Sequence, residues 1–320
     1  MISRQQLDMK DNSMSTSEPI RHHYIPRFLL RPFSFKEERV LYYDKKLGET
    51  SVKNIADVFM AKNLYRDTLH HPEKPTKIEE DFSKYEDRVA KIVKKFLDSD
   101  DVLISKEESE ALKLFFAIMG FRAQRVKEAF GSNIKAENKK FYGKYLEVNE
   151  DYVDLWTRNI GELVNCRSIN DVLVNPNIDD PIKTFMKRDV IGLVGTYFAI
   201  VQCDETEEFI LGDSYPIDVF SEGLGGSRFT LYSVFPISPR RAILQVANRS
   251  LDAPLGVLGL TKKSYFQRPR FQQDQDIMKI HVGQMRTEDI KEINKMIFKA
   301  ATVGIIMKSK KSMDWRNGYE

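Results

Sequence analysis

The chain has 320 residues, of which 42% are hydrophobic and 30% are charged. This composition supports a sizeable core and excludes wholesale disorder. The 50 Lys and Arg residues nearly balance the 47 Asp and Glu residues, and the net charge of +3 excludes a generally cationic, histone-like protein. The two cysteines, Cys166 and Cys203, are too few for a disulfide framework and do not have the spacing of a metal site.

Both ends of the chain are predicted to lie outside the folded domain. Residues 1–18 are polar and lack the apolar segment of a signal peptide, so we expect a flexible tail and a cytoplasmic protein. The longest nearly apolar run is too short to cross a membrane. Residues 307–320 are expected to form a basic tail. Residues 261–320 carry 13 basic and 7 acidic residues, against 37 and 40 in residues 1–260.

The first half of the chain is predicted to be largely helical after one short β-rich segment, RVLYY. Thr76 and Glu79 have the spacing of a capping box, and the apolar residues that follow recur at steps of three and four. Ser105 and Glu108 repeat this spacing before a second helical pattern. We therefore expect two helices that begin at these residues, within a helical part of about residues 76–165.

The second half is predicted to be rich in β-structure, over about residues 190–260. Four segments have the composition of strands, namely residues 196–203, 208–213, 229–238 and 241–247. The second of them is expected to return beside the first after a DETE turn. Residues 287–306 then have helical periodicity. The order predicts a single α+β domain over residues 19–306, with a helical N-terminal half, an antiparallel β-meander in the C-terminal half and a closing helix.

The segment from Arg21 to Phe33, RHHYIPRFLLRPF, concentrates histidines, arginines and aromatic rings. In one interpretation His23 is a general base or metal ligand, and Arg27 and Arg31 hold an anion such as phosphate. Because neighbouring side chains of an extended backbone point in opposite directions, only one of His22 and His23 is expected to face a pocket. In the other interpretation the rings pack as core and the arginines lie on its solvated rim.

Arg122 and Arg125 continue an apolar stripe of the second predicted helix. Two guanidinium groups at the edge of a core require anionic partners. These partners are either internal, with Glu79 and Glu86 on the preceding helix as the available carboxylates, or they are the phosphate of a ligand. The two glutamates are about 10 Å apart along their helix, which is too far for one metal ion without a third ligand.

Asp213 and Ser214 follow a predicted strand in the sequence GDSYP. An aspartate at a strand end can present its carboxylate at the rim of a sheet, as a metal ligand or as a group that orients a histidine. Alternatively, both side chains satisfy the amide groups of a loop. We expect the His23 segment, the Arg122 helix and the Asp213 turn to meet in one cleft.

Motifs of other enzyme classes are weak or absent. The chain has no Walker, HExxH, GxSxG or CxxC motif, which disfavours P-loop NTPases, zincins and α/β-hydrolases. A His-His pair followed by proline is similar to the start of HNH nucleases, in which a histidine activates water. The Asn63, His70 and His71 that follow do not have the spacing of the compact ββα unit that these nucleases need.

Residues 23–33, HYIPRFLLRPF, match the opening signature H-Y-[VI]-P-[RQ]-F-x-L-R-x-F of an uncharacterised bacterial and phage family, a domain of unknown function. The chain resembles this family over most of residues 22–305. The resemblance implies a shared fold and no established reaction. The polar signature positions of the family correspond here to His23, Arg27, Arg31, Asn63, Arg122, Asp213 and Ser214.

The histidine, the aspartate and the arginines, beside a basic C-terminal region, lead us to expect a nucleic-acid-processing phosphodiesterase, a nuclease-like hydrolase of phage-defence or toxin type. The assignments are His23, Asp213 and Ser214 for catalysis; Arg27, Arg31, Arg122 and Arg125 for phosphate binding; and His22, Asn63, Glu79 and Glu86 for support. A divalent metal such as Mg²⁺ is a candidate cofactor, and nucleic acid or a nucleotide is the candidate partner. The alternatives are a non-catalytic nucleic-acid- or anion-binding module and a scaffold with a buried charge network.

Overall fold

The computed structural model describes residues 21–131, 136–184, 186, 196–222, 228–247 and 277–313. The predicted tail at residues 1–18 and the last residues of the predicted basic tail, 314–320, lie outside this range. The main helices are α1 (Arg27–Leu30), α2 (Lys77–Asp98), α3 (Lys106–Arg122), α4 (Gln124–Gly131), α5 (Ala136–Gly143), α6 (Tyr152–Asn165), α7 (Ile169–Val174) and α8 (Thr287–Ala300).

The strands begin at the first described residue and continue to the end of the fold. They are β1 (Arg21–His23), β2 (Arg39–Asp44), β3 (Glu49–Asn54), β4 (Met60–Lys62), β5 (Asp101–Ser105), β6 (Thr196–Gln202), β7 (Leu211–Gly212), β8 (Ile217–Glu222), β9 (Arg228–Pro236), β10 (Arg241–Ala247), β11 (Ile277–Gln284) and β12 (Gly304–Met307). The α+β class is confirmed. The expectation of a helical N-terminal half needs correction, because β1 to β4 precede the first long helix.

The strands form three sheets. Their orders are β1-β4, β5-β11-β6-β10-β9-β8 and β3-β2-β12-β7. The predicted antiparallel arrangement is present in β8, β9 and β10, which pair in sequence, and β6 pairs antiparallel with β10. The pairing of β11 with β6 is parallel. In the third sheet β12 lies between β2 and β7, so the last strand in the chain order pairs with a strand near the N-terminal end of the fold.

One of the two predicted capping boxes is formed. The Ser105 hydroxyl accepts a hydrogen bond from the Glu108 amide at 3.1 Å, and the Glu108 carboxylate accepts one from the Ser105 amide at 3.0 Å. At the start of α2 the prediction is wrong. Thr76 makes no capping hydrogen bond with its side chain, and its backbone (φ −94°, ψ 4°) is not the extended one that a capping side chain needs. The carboxylate of Glu79 is therefore not used as a cap.

The predicted return strand at residues 208–213 is also wrong, since only Leu211 and Gly212 form a strand and they pair with β12. The side chain of Asn294 on α8 explains this. Its amide nitrogen donates to the carbonyl of Glu208 at 2.8 Å, and its oxygen accepts from the amide of Ile210 at 3.1 Å. These backbone groups are thus satisfied by a side chain and not by a neighbouring strand.

The closing helix is shorter than predicted, and the folded part of the chain is longer. Helix α8 ends at Ala300, and β12 follows within the segment that was expected to be helical. The ammonium group of Lys308 contacts the carbonyl oxygen of Ser34, and Ser312 is buried. Residues 307–313 therefore belong to the fold and not to a basic tail.

The core of the helical part positions the segment that carries His23. Helices α2, α3 and α6 pack around Trp156, which is fully buried and donates its indole N–H to the carbonyl oxygen of Phe121 at 3.1 Å. Leu29, Leu30 and Phe33 of the N-terminal segment are fully buried in the same cluster. In the part of the chain that the structure describes, no helix is long and apolar enough to cross a membrane.

Candidate acid–base site in a cleft beside helix α2

The short helix α1 carries Arg27 and follows β1 after three residues, and Arg31 begins the 3₁₀ turn that comes next. Because Leu29 and Leu30 are buried in the core, Arg27 and Phe28 are left partly exposed. Arg27 and Arg31 are four residues apart and share a helical face. The structure therefore agrees with the packing interpretation, since the leucines and Phe33 form core while the arginines stay accessible at its rim, and the functional interpretation stays a prediction.

A cleft of about 280 Å³ lies between this segment and α2. Its lining includes His23, Arg27, Phe28 and Arg31 on one side, Glu79, Ser83, Glu86 and Asp87 of α2 on the other, and Arg122 of α3. Two of the three segments that were expected to meet are thus together. Glu79 and Glu86 of α2 lie in the same cleft, although they were assigned only a supporting role.

Arg122 joins the two sides of the cleft through an internal network. Its side chain is 2% exposed. The Nε atom donates to the hydroxyl of Tyr65 at 2.6 Å, Nη1 donates to Glu86 and Nη2 donates to the backbone carbonyl of His23. The guanidinium also lies over the ring of Phe82, 4.0 Å from its centroid. Internal carboxylate pairing is therefore what the structure shows for Arg122, whose guanidinium links Glu86 to the backbone of His23.

The two histidines have different roles, as the alternation of an extended strand requires. His22 is buried, accepts a hydrogen bond from the Tyr65 amide at 2.9 Å and stacks on the Tyr65 ring. His23 lines the cleft, and its Nε2 lies 3.0 Å from the carbonyl oxygen of Ile55. Since a carbonyl can only accept, we assign the proton to Nε2, which leaves Nδ1 as a proton acceptor.

The pKa of His23 is lowered below its usual value of 6.5, mainly because the imidazole is buried. The hydrogen bond to Ile55 opposes this shift, and the positive charges of Arg27 and Arg122 add to it. The neutral form therefore dominates at neutral pH. A neutral imidazole with a free lone pair is suited to act as a general base.

Glu79 is the second titratable group of the cleft. Its Oε2 atom is buried and has no hydrogen-bond partner among the residues that the structure describes. Burial is the main cause that raises the pKa of Glu79 to about 7, while Arg122 lowers it and Glu86 raises it further. A considerable fraction of this carboxyl group is thus protonated near neutral pH, and it can serve as a proton donor.

Arg27 and Arg31 are held by Glu38, a residue that the sequence analysis missed. Nη2 of Arg27 donates to Glu38 at 2.6 Å, and Nε of Arg31 donates to it at 3.1 Å. The two arginine side chains are 42% and 57% exposed. Exposed ion pairs contribute little to stability, so the carboxylate can be exchanged for the anion of a ligand. The sequence contained one signal of this partner, since the acidic residues Glu37 and Glu38 follow the arginine-rich segment by a few positions.

Asp213 and Ser214 are not among the residues that line the cleft. The carboxylate of Asp213 accepts hydrogen bonds from the amides of Thr302 at 2.8 Å and Gly304 at 3.3 Å. The hydroxyl of Ser214 donates to the carbonyl oxygen of Ala300 at 2.7 Å. Both residues thus fix the connection between α8 and β12, which corresponds to the loop-amide interpretation. The Asp213 turn does not join the other two segments.

Asn63 is another predicted residue that does not line the cleft. Asn63 occupies a left-handed turn (φ 53°) and lines a separate depression with Lys127. Helix α3 ends at Arg122 because Ala123 leaves the helical region (φ −56°, ψ 137°), so Arg125 belongs to the next helix, α4, which begins at Gln124. The side chain of Arg125 lies outside the described residues.

The HNH-like alternative is not favoured by the position of the later histidine. Nδ1 of His70 lies 3.0 Å from Asp67, and its Nε2 lies 3.2 Å from Glu150. This buried cluster does not include His23. Across the described ranges, no group of three or more His, Cys, Asp or Glu residues is arranged to hold a metal ion.

The chain matches the family model described as "Protein of unknown function (DUF4238)" over residues 21–312. The chain belongs to the DUF4238 family. The resemblance to an uncharacterised domain family is confirmed at this level, while the N-terminal signature stays a prediction. No curated protein and no solved structure matches this DUF4238 protein significantly. The cleft is therefore interpreted from its own chemistry.

The position of Asp213 in the DUF4238 fold leads to a testable expectation. Asp213→Ala should lower the free energy of unfolding by about 2–3 kcal/mol, because it leaves the amides of Thr302 and Gly304 without an acceptor. Urea denaturation measures this free energy, and Asp57→Ala, at an exposed ion pair, is the control. An Asp213→Ala variant as stable as the wild type would contradict this structural role of the carboxylate.

Proposed function

We propose that this protein is a nuclease-like phosphodiesterase and that the cleft beside α2 is its active site. His23 is the general base, Glu79 is the general acid, and Arg27 and Arg31 bind the phosphate. The observation that carries the proposal is the presence of His23 and Glu79 in one cleft whose rim holds two exposed arginines. The cytoplasmic location and the phage-defence or toxin role stay predictions.

The protonation states of the two groups support acid–base catalysis. At neutral pH the lowered pKa of His23 favours the neutral base, and the raised pKa of Glu79, about 7, keeps part of the acid protonated. An acid and a base with pKa values near the working pH are the combination that cleaves a bond with simultaneous proton transfers. The two groups belong to β1 and α2, so they enter the cleft from different elements.

The charges of the cleft suit a phosphodiester. Arg122 is paired with Glu86, while Arg27 and Arg31 share the single carboxylate of Glu38 and are partly exposed, which leaves one positive charge in excess among these three residues. Nε of Arg27 is buried and has no partner in the described part of the molecule, whereas Nη2 carries the contact to Glu38. The volume of about 280 Å³ is near the lower end for small-molecule pockets, ~300 Å³. It therefore accommodates one nucleotide unit and not a duplex.

The test is cleavage of short labelled RNA and DNA strands by the purified protein, in Mg²⁺, Mn²⁺ or EDTA. The wild type should cleave, and His23→Gln should reduce the rate by about 10²–10⁴-fold, the usual contribution of a general base. His281→Gln is the matched control, because His281 is an exposed residue of β11. Circular dichroism should show that both variants are folded.

Two outcomes contradict the proposal. One is the absence of cleavage by the wild type, and the other is cleavage that His23→Gln does not change. Binding with a steep salt dependence and no turnover would support the non-catalytic module instead. That second candidate is favoured by the same arginines, which hold an anion whether or not the acid and base act on it.

The ion pair of Glu38 gives a further expectation. Glu38→Gln should release Arg27 and Arg31 and lower KM for the nucleic acid several-fold at low salt, because phosphate no longer competes with the carboxylate. The gain should shrink at high salt, which screens exposed charges. Glu37→Gln is the control, since Glu37 is exposed and pairs with Arg39. An equal KM in the two variants would show that the substrate does not use the arginine pair.

A further inference from the structure

We infer that the substrate is single-stranded RNA and that the cleft cleaves it by attack of a ribose 2′-hydroxyl on the neighbouring phosphate. The inference rests on the proposed function and specifies its substrate and its nucleophile. It is carried by three features of the cleft: a base and an acid on different elements, an accessible aromatic ring, and a volume that suits one nucleotide unit.

The reaction requires only the two proton-transfer groups that the cleft contains. Nδ1 of His23 removes the proton of the 2′-hydroxyl, and the bond between O2′ and phosphorus forms. The bond between phosphorus and O5′ of the next nucleotide breaks, and Glu79 gives its proton to that oxygen. The products are a 2′,3′-cyclic phosphate and a 5′-hydroxyl, so atoms, electrons and charge balance and no co-reactant is consumed.

The nucleophile is the reason for choosing RNA. Cleavage of DNA needs an external nucleophile that the protein must hold in line with the leaving oxygen. In RNA the 2′-hydroxyl is already adjacent to phosphorus, and such an intramolecular arrangement replaces much of the positioning. His23 and Glu79 reach the cleft from two different elements, β1 and α2, so the base and the acid are carried by separate segments of the chain.

The aromatic ring favours a single strand. Phe28 lines the cleft and is only partly buried, and it packs on Phe115 with 5.7 Å between the ring centroids. The accessible part of this ring is available for a nucleobase, and stacking of this kind requires a base outside a duplex. On the α2 side, Ser83 and Asp87 are exposed polar residues at the cleft. They provide hydrogen-bond partners for ribose hydroxyl groups.

The experiment uses a labelled DNA strand that contains one central ribonucleotide. The all-DNA strand and a strand with a 2′-O-methyl ribonucleotide are the controls. The wild type should cut only the first strand, immediately 3′ of the ribonucleotide, and leave a cyclic phosphate that mass spectrometry identifies. His23→Gln should slow this cut by about 10²–10⁴-fold.

A second substrate separates an acid from a merely structural Glu79. In this substrate sulfur replaces the leaving O5′, so that the leaving group departs without a proton. Glu79→Gln should cleave the sulfur substrate within about threefold of the wild-type rate, although it loses most activity on the oxygen substrate. His23→Gln should remain impaired on both substrates. An equal loss on both in Glu79→Gln would overturn the role of Glu79 as the acid.

The outcomes separate this inference from the proposed function. Cleavage of the all-DNA strand, or products with a 3′-hydroxyl end, would overturn the inference and leave the phosphodiesterase proposal standing. If neither RNA nor DNA is cleaved, the proposed function itself fails. Cleavage restricted to the ribonucleotide, with a cyclic phosphate product, supports both.

Discussion

Replacing Glu79 by glutamine is expected to reduce cleavage by about 10²–10⁴-fold, the range that a general acid contributes. Glutamine keeps the size of the side chain and cannot donate a proton to the leaving oxygen. In the wild type kcat/KM should rise as His23 loses its proton, at a pH below 6.5, and fall as Glu79 loses its proton near pH 7. Only the alkaline decline should disappear in Glu79→Gln. A pH–rate profile of the two proteins measures this.

The same substitution should stabilise the protein at alkaline pH. Because the pKa of Glu79 is raised from 4.5 to about 7, the folded protein binds this proton more tightly than the unfolded chain does. The wild type therefore loses stability as the pH rises from about 4.5 to 7, by up to about 3 kcal/mol. Glu79→Gln lacks this titrating group, so its free energy of unfolding should rise relative to that of the wild type across this pH range.

Urea denaturation at pH 5 and pH 8 tests the stability prediction. The difference between Glu79→Gln and the wild type should be larger at pH 8 by on the order of 2–3 kcal/mol. Glu80→Gln is the matched control, because Glu80 is more exposed and pairs with Lys74 at the surface. A difference that is the same at both pH values would show that Glu79 is not the buried, proton-binding group that the cleft requires.

Arg122→Ala is expected to have the largest effect on stability, a loss of about 3–5 kcal/mol, because one partner of a buried ion pair is removed. The variant leaves Glu86, the hydroxyl of Tyr65 and the carbonyl of His23 without their donor. It also creates a space beside the ring of Phe82. Arg122→Lys should recover only part of the loss, since an ammonium group cannot form the three contacts of the planar guanidinium.

The effect of Arg122→Ala is measured by its denaturation midpoint and its cleavage rate. Arg31→Ala is the control, because its exposed side chain should change stability by less than about 0.5 kcal/mol. Tyr65→Phe removes one contact of Arg122 and should cost about 1–3 kcal/mol. If Arg122→Ala is as stable as the wild type, the network is not what holds the cleft together. If the stability falls and no variant of the cleft affects any ligand or reaction, the scaffold interpretation is the better one.

Glu79, the acid of the proposed site, is at a position where the sequence predicts a capping box that the structure does not form. Thr76 and Glu79 have the spacing of a capping box, as Ser105 and Glu108 do, and only the second pair forms one. In α2 the carboxylate of Glu79 lies instead in the cleft, where burial and the proximity of Glu86 favour its protonated form. A departure from local preference at a site with a perturbed carboxyl group is typical of functional positions.

Several parts of the fold and of the site could be predicted from the sequence because they depend on local interactions. The capping box of Ser105, the strands β9 and β10 and the start of α8 follow from residues within a few positions of one another. The concentration of His23, Arg27 and Arg31 in one short segment identified one side of the cleft. The need of a buried arginine for a carboxylate identified Glu86 as a candidate partner of Arg122.

Other features were decided only by tertiary structure, because their partners are far away in the chain. Asn294 forms hydrogen bonds with the backbone of Glu208 and Ile210, where the composition indicates a strand. The amides of Thr302 and Gly304 bind the carboxylate of Asp213, which therefore does not line the cleft. Such hydrogen bonds join residues more than 80 positions apart. Composition and spacing cannot show which distant group will satisfy a polar atom.

The sequence by itself determined the α+β class, the longest helices, several strands of the large sheet and the residue types that make phosphate chemistry reasonable. Tertiary structure alone decided that Glu79 and Glu86 line the same cleft as His23, and that Asp213 does not. The physical reason is burial. A pKa moves when surrounding elements exclude water from a carboxyl group, and those elements, β1, α1, α2 and α3, come together only in the folded chain.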